Sequence, residues 1–318
     1  MSRNNKQVNY NLDPHSALGI SKTSSRPPVR NELKRRSELG EMLFVTKDSR
    51  RISMNNQFKG QPLFLILSGP SLNNLDLNEI TRVGALSFGV NNSWSIFKPS
   101  FWTCADNPNR FLYSRWKDPN VLKFCPLPHK SSKLRTKEGD HFFKSEETPE
   151  DCPNVLFYPR NLYFDPGAFL RQSTVNWGGD SKKRDAIGFK GARSVMFSAL
   201  RIAHILGFSD IYLCGADFNM EQGKQNYAFE QDRDEGAVKG NNNSYKTNSK
   251  RLESLKEVLL RAGTRVWNCS PTSNLDAFPF LPFSQAIKAC EDLVPKQESS
   301  LGWYDKVKKK SQLKVKRN

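Results

Sequence analysis

The chain has no apolar run approaching the roughly 18 residues of a membrane-spanning helix, and its start, MSRNNKQVNYNLDPHS, has no apolar signal-peptide core. The expectation is a cytoplasmic protein, free or peripheral at the inner membrane surface. No C-x-x-C pair occurs. The six cysteines, at 104, 125, 152, 214, 269 and 290, are scattered without a nearby His pair, which argues against a zinc site and a disulfide framework and leaves reduced thiols. Neither GxGxxG nor a Walker A loop is present, so no dinucleotide fingerprint or P-loop is inferred. No Asp-x-Asp motif stands in the expected position and no His/Cys cluster exists, so no metal is expected. Histidine is scarce, with four residues at 15, 129, 141 and 204.

What remains is globular and basic. The 318 residues, 37% hydrophobic and 11% aromatic, suffice for one sizeable domain and argue against a wholly disordered chain. The net charge of +17 is uneven. Residues 1–62 carry 12 Lys/Arg against 5 Asp/Glu, 63–285 carry 28 against 23, and 286–318 carry 9 against 4, so the flanks hold 12 of the 17 units. We therefore divide the chain into a basic N-terminal extension (1–62), a catalytic domain (63–285) and a basic C-terminal tail (286–318), with the flanks expected to be flexible. Such flanks suit a polyanionic acceptor, a glycan or DNA, or an anionic membrane surface. A solubilising tail has the same composition.

Within the central region, short apolar runs alternate with helical patterns, which predicts an α/β domain with a mostly parallel sheet. Leu63 to Leu67 is a fully apolar first strand, Ala85 to Val90 a second and Phe101 to Ala105 a third. Residues 116–185, rich in Pro, Lys and Asp, are expected to form an inserted, partly irregular lid. Ser194 to Leu206 has helical spacing with Gly207 as C-cap. Ile211 to Leu213 opens another strand, Ser249 to Ala262 is an amphipathic helix, and Arg265 to Asn268 is a last strand.

Chemistry-bearing residues stand at the ends of these strands. Ser68-Gly69-Pro70-Ser71 is a small-residue turn able to face an anion with backbone N–H groups and two hydroxyls. Cys214-Gly215-Ala216-Asp217 ends a later strand, and ligands of open α/β sheets sit outside the carboxyl ends of strands. Asp217 is suited to accept from ribose or sugar hydroxyls. Asn91-Asn92 and Asp106-Asn107 follow two further strands, so four polar strand ends converge on one edge. Trp177-Gly178-Gly179-Asp180 lies in the lid, with Trp177 a candidate stacking platform.

These residues resemble a family. Gly69 to Leu72, Asn91-Asn92, Asp106-Asn107-Pro108, Ile205 to Phe208, Ile211 to Phe218 and Asn226-Tyr227-Ala228-Phe229 look like the bacterial lipooligosaccharide sialyltransferases. They look equally like broader relatives, the motility-accessory flagellin glycosyltransferases and hydroxymethylpterin pyrophosphokinases. The resemblance runs from about Leu63 to Phe283 and is most specific from Gly207 to Phe229. It implies a single Rossmann-like domain and metal-independent transfer from a nucleotide-activated sugar, which is a co-substrate, with no cofactor. The positions matching Ser68, Asn91 or Asn92, Asn107, Ser194, Gly215, Asp217 and Tyr227 would line the nucleotide site. This chain departs from the pattern in having Ser68 where the family has Asn, and Asn243 to Asn248 where the family has its general-base His.

For the transfer itself, Asp217 is the candidate base and Asp106 the runner-up. Tyr227 and Tyr245 would hydrogen-bond the leaving phosphate, and Arg193 or Lys190 would offset its charge. Four functions stay open: a glycosyltransferase acting on a glycan, one acting on modified DNA bases, a pterin-type pyrophosphokinase, and a non-catalytic nucleotide-binding module.

Overall fold

The structure is a computed structural model and describes residues 44–293 and 299–303. Most of the N-terminal extension and most of the tail lie outside the described residues. Within them the chain is an α/β protein built on nine strands in one sheet.

Thirteen strands are formed among the described residues, with two short helices among them, α1 (Asn78–Arg82) and α2 (Tyr113–Lys117). The strands are β1 (Phe44–Val45), β2 (Arg51–Ile52), β3 (Pro62–Ile66), β4 (Leu86–Val90), β5 (Phe101–Thr103), β6 (Leu122–Pro126), β7 (Arg135–Glu138), β8 (His141–Lys144), β9 (Val155–Tyr158), β10 (Arg160–Asn161), β11 (Val175–Asn176), β12 (Asp210–Cys214) and β13 (Arg265–Asn268). The main sheet runs β13-β12-β3-β4-β5-β6-β9-β1-β2. Its seven strands from β13 to β9 are parallel, and β1 and β2 close one side antiparallel.

The continuous apolar runs reflect this topology, because strands of a parallel sheet are covered on both faces. Alternate residues of β3 serve different cores. Leu63 and Leu65 join the cluster under α3 (Val195–Leu206), while Phe64 and Ile66 join the cluster with α5 (Phe283–Leu293) on the other face. The helix α3 forms as its spacing predicts. Ser194 Oγ accepts from Met196 N at 3.3 Å, and Gly207, at φ +94°, ends the helix in a left-handed turn that other residues seldom adopt.

Two elements differ from expectation. The segment 116–185 includes β6 and β9, two inner strands of the sheet; only the hairpin β7–β8 and the loops after β9 are peripheral. In β6, Lys123 interrupts the apolar pattern yet is fully buried, its Nζ donating to the carbonyls of Asp118 and Val121 at 2.6 and 3.0 Å. The helix α4 (Glu235–Arg261) starts 14 residues before the predicted Ser249. Those 14 residues carry two glycines and four asparagines, all poor helix formers. There the tertiary contacts decide: Asp234 caps Ala237 N at 2.7 Å, and Asn242 makes two hydrogen bonds of 2.9 Å with the Met220 backbone. This extension is what places Tyr245 on a helix.

The chain order positions the site. From β3 the strands add outward through β4, β5, β6 and β9; the chain then returns through α3 to lay β12 on the other side of β3. The reversal lies between β3 and β12, and the helix-bearing segments that follow the two strands cover opposite faces of the sheet, Leu77 and Ile80 in the α5 cluster and Leu252 and Leu255 in the α3 cluster.

Candidate functional site

The loops leaving β3 and β12 interlock at this reversal. The β3 turn stays bound to its neighbour after the strands end, with Leu67 N donating to Cys214 O at 2.8 Å and Gly69 N to Gly215 O at 2.9 Å. Asp217, only 7% exposed, accepts on Oδ2 from Ser71 Oγ at 2.9 Å and from Ser71 N at 3.3 Å. Ser270, after β13, completes the knot, sharing a hydrogen bond with Ser71 Oγ at 3.2 Å and accepting from Ala216 N at 2.8 Å. A Cβ on Gly69 would lie 1.7 Å from Asp217 Oδ2, so no other residue fits there without displacing the carboxylate. Gly215, at φ +74°, needs its lack of Cβ for conformation and space alike.

This knot changes the expected chemistry of the turn. Its Gly69 and Ser71 N–H groups and the Ser71 hydroxyl are already spent on Gly215 and Asp217, and a carboxylate sits beside them. The turn is therefore a mount for Asp217 rather than an open phosphate cradle. Burial pushes the Asp217 carboxyl above its ordinary 3.8, against the opposing pull of the Ser71 hydrogen bonds.

An aromatic and cationic wall stands next to Asp217. Ala228 N donates to Ser68 O at 3.0 Å, which pins the 226–229 segment against the β3 turn. Tyr227 stacks on Phe229 with centroids 5.2 Å apart, and Arg233 Nε donates to Tyr227 Oη at 3.2 Å. Tyr245 packs on Phe218 at 5.1 Å, and Phe218 itself holds φ +53°, a left-handed conformation uncommon for a bulky residue. Burial first, then the Tyr227 hydroxyl and the Asp217 carboxylate, push the Tyr245 hydroxyl up, while Arg233 opposes them. Tyr245 is thus within electrostatic reach of Tyr227, Asp217 and Arg233. Arg233 carries no signal in the sequence pattern. It stands within Asp232-Arg233-Asp234, the one Asp-x-Asp of the chain, whose Asp234 is the α4 cap.

Of the remaining candidates, Asn91, Asn92, Asp106 and Asn107 follow β4 and β5 on the same carboxyl edge, while Lys190 and Ser194 lie just before α3. Asn91, at φ +50°, accepts on its backbone oxygen from Trp102 Nε1 at 2.8 Å, and its own Oδ1 is buried without a partner. Asn92 is engaged by Arg115, whose Nη1 donates to Oδ1 at 2.8 Å. Asn107 is exposed and caps Asn109 N at 3.1 Å. Asp106 is part-exposed, with Arg110 3.9 Å away. Ser194 N donates to Trp177 O at 3.1 Å, while Lys190 is exposed.

A second cationic group, only half foreseen, surrounds Trp177. Its ring carries Arg160 at 4.2 Å and Arg193 at 5.1 Å. Protein cations therefore take the place that the sequence suggests for a stacked sugar or base. Arg160 Nη1 donates to Ala105 O at 2.9 Å and lies 3.3 Å from His129 Nε2. Burial and then the Arg160 charge push the His129 imidazole down, so at neutral pH it is an uncharged acceptor for Arg160. Arg160 follows β9 as Asp217 follows β12, and the same strand-end rule finds it once β9 is assigned to the sheet. Among the described residues, no group of three or more His, Cys, Asp and Glu is placed to hold a metal ion.

No family model matches the chain, and no curated protein matches it in sequence. Similar solved structures include the sialyltransferase CstII from Campylobacter jejuni in complex with the substrate analogue CMP-3FNeuAc, at 13% identity over 70% of this chain and 86% of that one, with a TM-score of 0.35. CstII in complex with cytidine-5′-monophosphate aligns at 14% identity over 70% and 85%, with a TM-score of 0.37. Likeness at this level assigns no activity, and the α/β architecture rests on the sheet described above.

Proposed function

We propose that the chain is a glycosyltransferase that moves a sugar from a nucleotide-activated donor to a glycan without a metal ion. The observation that carries this reading is the carboxylate of Asp217, mounted by Ser71 at the sheet's reversal point, with Tyr245 in electrostatic reach of it and of the Tyr227–Arg233 pair. In this reading the acceptor hydroxyl gives its proton to Asp217 as its oxygen bonds to the sugar's anomeric carbon. The bond from that carbon to the donor phosphate breaks, and its electron pair leaves with the nucleotide. Tyr227 and Tyr245 donate to the leaving phosphate and Arg233 meets its charge. Arg160 and Arg193 offer a second place for donor phosphate. The raised carboxyl of Asp217 suits a base, because proton transfer is most effective when the base titrates near the working pH.

The test is Asp217→Asn, which keeps the acceptor for Ser71. Turnover with the donor identified from CMP-, UDP-, GDP- and dTDP-sugars is expected to fall about 100-fold or more, and EDTA is expected to leave wild-type turnover unchanged. Stability should move the other way. A carboxyl whose folded value is raised stabilises the fold when protonated, and that contribution is lost as pH rises through the raised value. The Asn variant is therefore expected to melt at or above wild type at neutral pH, with the gap closing on acidification. Wild-type turnover in the variant, or no thermal shift of the wild type with any of the nucleotide sugars, would remove the reading.

The acceptor class rests on the basic tail, whose residues 301–318 hold six Lys and one Arg. Deleting them is expected to leave donor binding intact and to flatten the salt dependence of retention on an anionic glycan. Retention on duplex DNA, lost with the same deletion, would move the acceptor to DNA bases.

A further inference from the structure

On the amino edge of the sheet, opposite the crevice, lies a cavity of about 350 Å³. It is enclosed by the loop ahead of β3 (Asn55 to Gly60), the last turns of α3 and the turn between α4 and β13 (Ala262 to Thr264). The charged or titratable residues lining it are Lys59, Arg201 and His204, and no Asp or Glu lines it. Arg201 is the unusual member. It is 1% exposed, its Nη2 donates to Gln172 O at 2.8 Å, and its Nε is buried without a partner. A guanidinium has five N–H donors and stays charged. A charge taken out of water without a counter-ion costs several kcal/mol.

Among the described residues the protein offers no anion in return. Burial alone pushes Arg201 down to about 10, with no carboxylate pulling it back up. His204 adds no positive charge, since burial and the Arg201 charge push it down to about 4; its Nδ1 lies 2.9 Å from Thr264 Oγ1. The helix end itself is already satisfied. The N–H groups of Asn56, Phe58 and Gly60 cap the carbonyls of Ile205, Leu206 and Gly207 at 2.9, 2.8 and 3.0 Å. What is left is a buried cation with an unused donor, beside a space that holds far more than one water of about 30 Å³, with an exposed lysine nearby.

We propose that this cavity binds a small oxyanion, a phosphate group or a carboxylate, with Arg201 as its charged ligand and Lys59 as a supporting cation. The site is separate from the proposed donor crevice and does not depend on the chain being a transferase.

Thermal unfolding of the full chain in inorganic phosphate, in acetate and in chloride at matched ionic strength tests this. The wild type is expected to melt higher in at least one oxyanion than in chloride, and the stronger of the two identifies the class. Arg201→Met is expected to lose that increment while melting no lower than wild type in chloride, because an apolar side chain replaces an unpaired buried charge. Gln172→Glu, which supplies a carboxylate beside Arg201, is expected to melt higher in chloride and also to lose the response. Lys59→Ala should weaken the apparent affinity about fivefold, in line with loss of one surface charge contact of about 1 kcal/mol. Lys137→Ala, on the peripheral β7–β8 hairpin, should keep the full response, since that residue lines neither the cavity nor the crevice. Absence of any oxyanion-specific shift in the wild type overturns the proposal. So does an unchanged shift in both Gln172→Glu and Lys59→Ala, a comparison that stands even if Arg201→Met fails to fold.

Discussion

Gly69→Ala is expected to abolish donor binding and to lower the unfolding free energy by about 1–3 kcal/mol, the usual cost of forcing a methyl group into packed space. The backbone is not the reason, because Gly69 sits at φ −71°, which alanine adopts freely. The obstacle is steric. The new methyl would stand 1.7 Å from Asp217 Oδ2 and 2.7 Å from Gly215 O, so the carboxylate must leave Ser71 or the two loops must part. Either movement dismantles the mount on which the proposed chemistry rests. Urea unfolding and calorimetric titration with the donor would read both effects. Gly240→Ala is the control: it lies in α4 with nothing within 4 Å of the methyl group that alanine adds, and should gain about 0.5–1 kcal/mol. Wild-type affinity in Gly69→Ala would show that the crevice does not use Asp217 in its observed position.

Asp185→Ala is expected to cost more, about 3–5 kcal/mol, as is usual when one member of a buried ion pair is removed. Arg251, with 0% of its side chain exposed, reaches from α4 into the loop after β11 and meets Asp185 Oδ2 at 2.7 Å through Nε and Nη2. Its Nη1 donates to the carbonyls of Gly191 and Ala192 at 2.9 and 2.8 Å. Asp185 Oδ1 in turn accepts from Ile187 N and Phe189 N at 3.1 and 2.9 Å, so one carboxylate orders the segment leading to Arg193 and Ser194. Removing it strands a guanidinium in the interior and frees that segment. Asp185→Ala combined with Arg251→Met should recover part of the loss, because no charge is then stranded. A loss below about 0.5 kcal/mol in the single variant, the range of ordinary surface changes, would show that the pair is not a structural tie.

The elements legible in the sequence are those whose signal is local. The run Leu63 to Leu67 holds the strand β3, and Ser194 and Gly207 mark both ends of α3. The strand β6 is hidden because Lys123 breaks its apolar pattern, and its burial depends on carbonyls supplied by residues before the strand. The first half of α4 is hidden because its stability comes from Met220 and Asp234 rather than from propensity.

The site divides the same way. Strand-end polarity marks Asp217, Ser71 and Asn91 because the carboxyl edge of a parallel sheet collects such residues. Nothing local reveals that Ser71 spends its hydroxyl on Asp217, 146 positions away. Arg160 escapes notice because its strand reads as part of a lid, and Arg233 because its aromatic partner lies six residues earlier.

The short strand β1 carries a consequence for how the chain can be shortened. Val45 pairs with Phe157 on β9, and Phe44 is fully buried with its ring 5.1 Å from that of Phe124. Beyond it β2 is only two residues long and presents Arg51 to solvent, a poor template for another chain. A protein beginning at residue 62 would lose this cover and leave the inner strand β9 as a bare apolar edge, prone to recruiting strands from its neighbours. Beginning at residue 44 keeps the guard in place, so residues 44–61 protect solubility although they lie outside the catalytic unit read from charge and pattern.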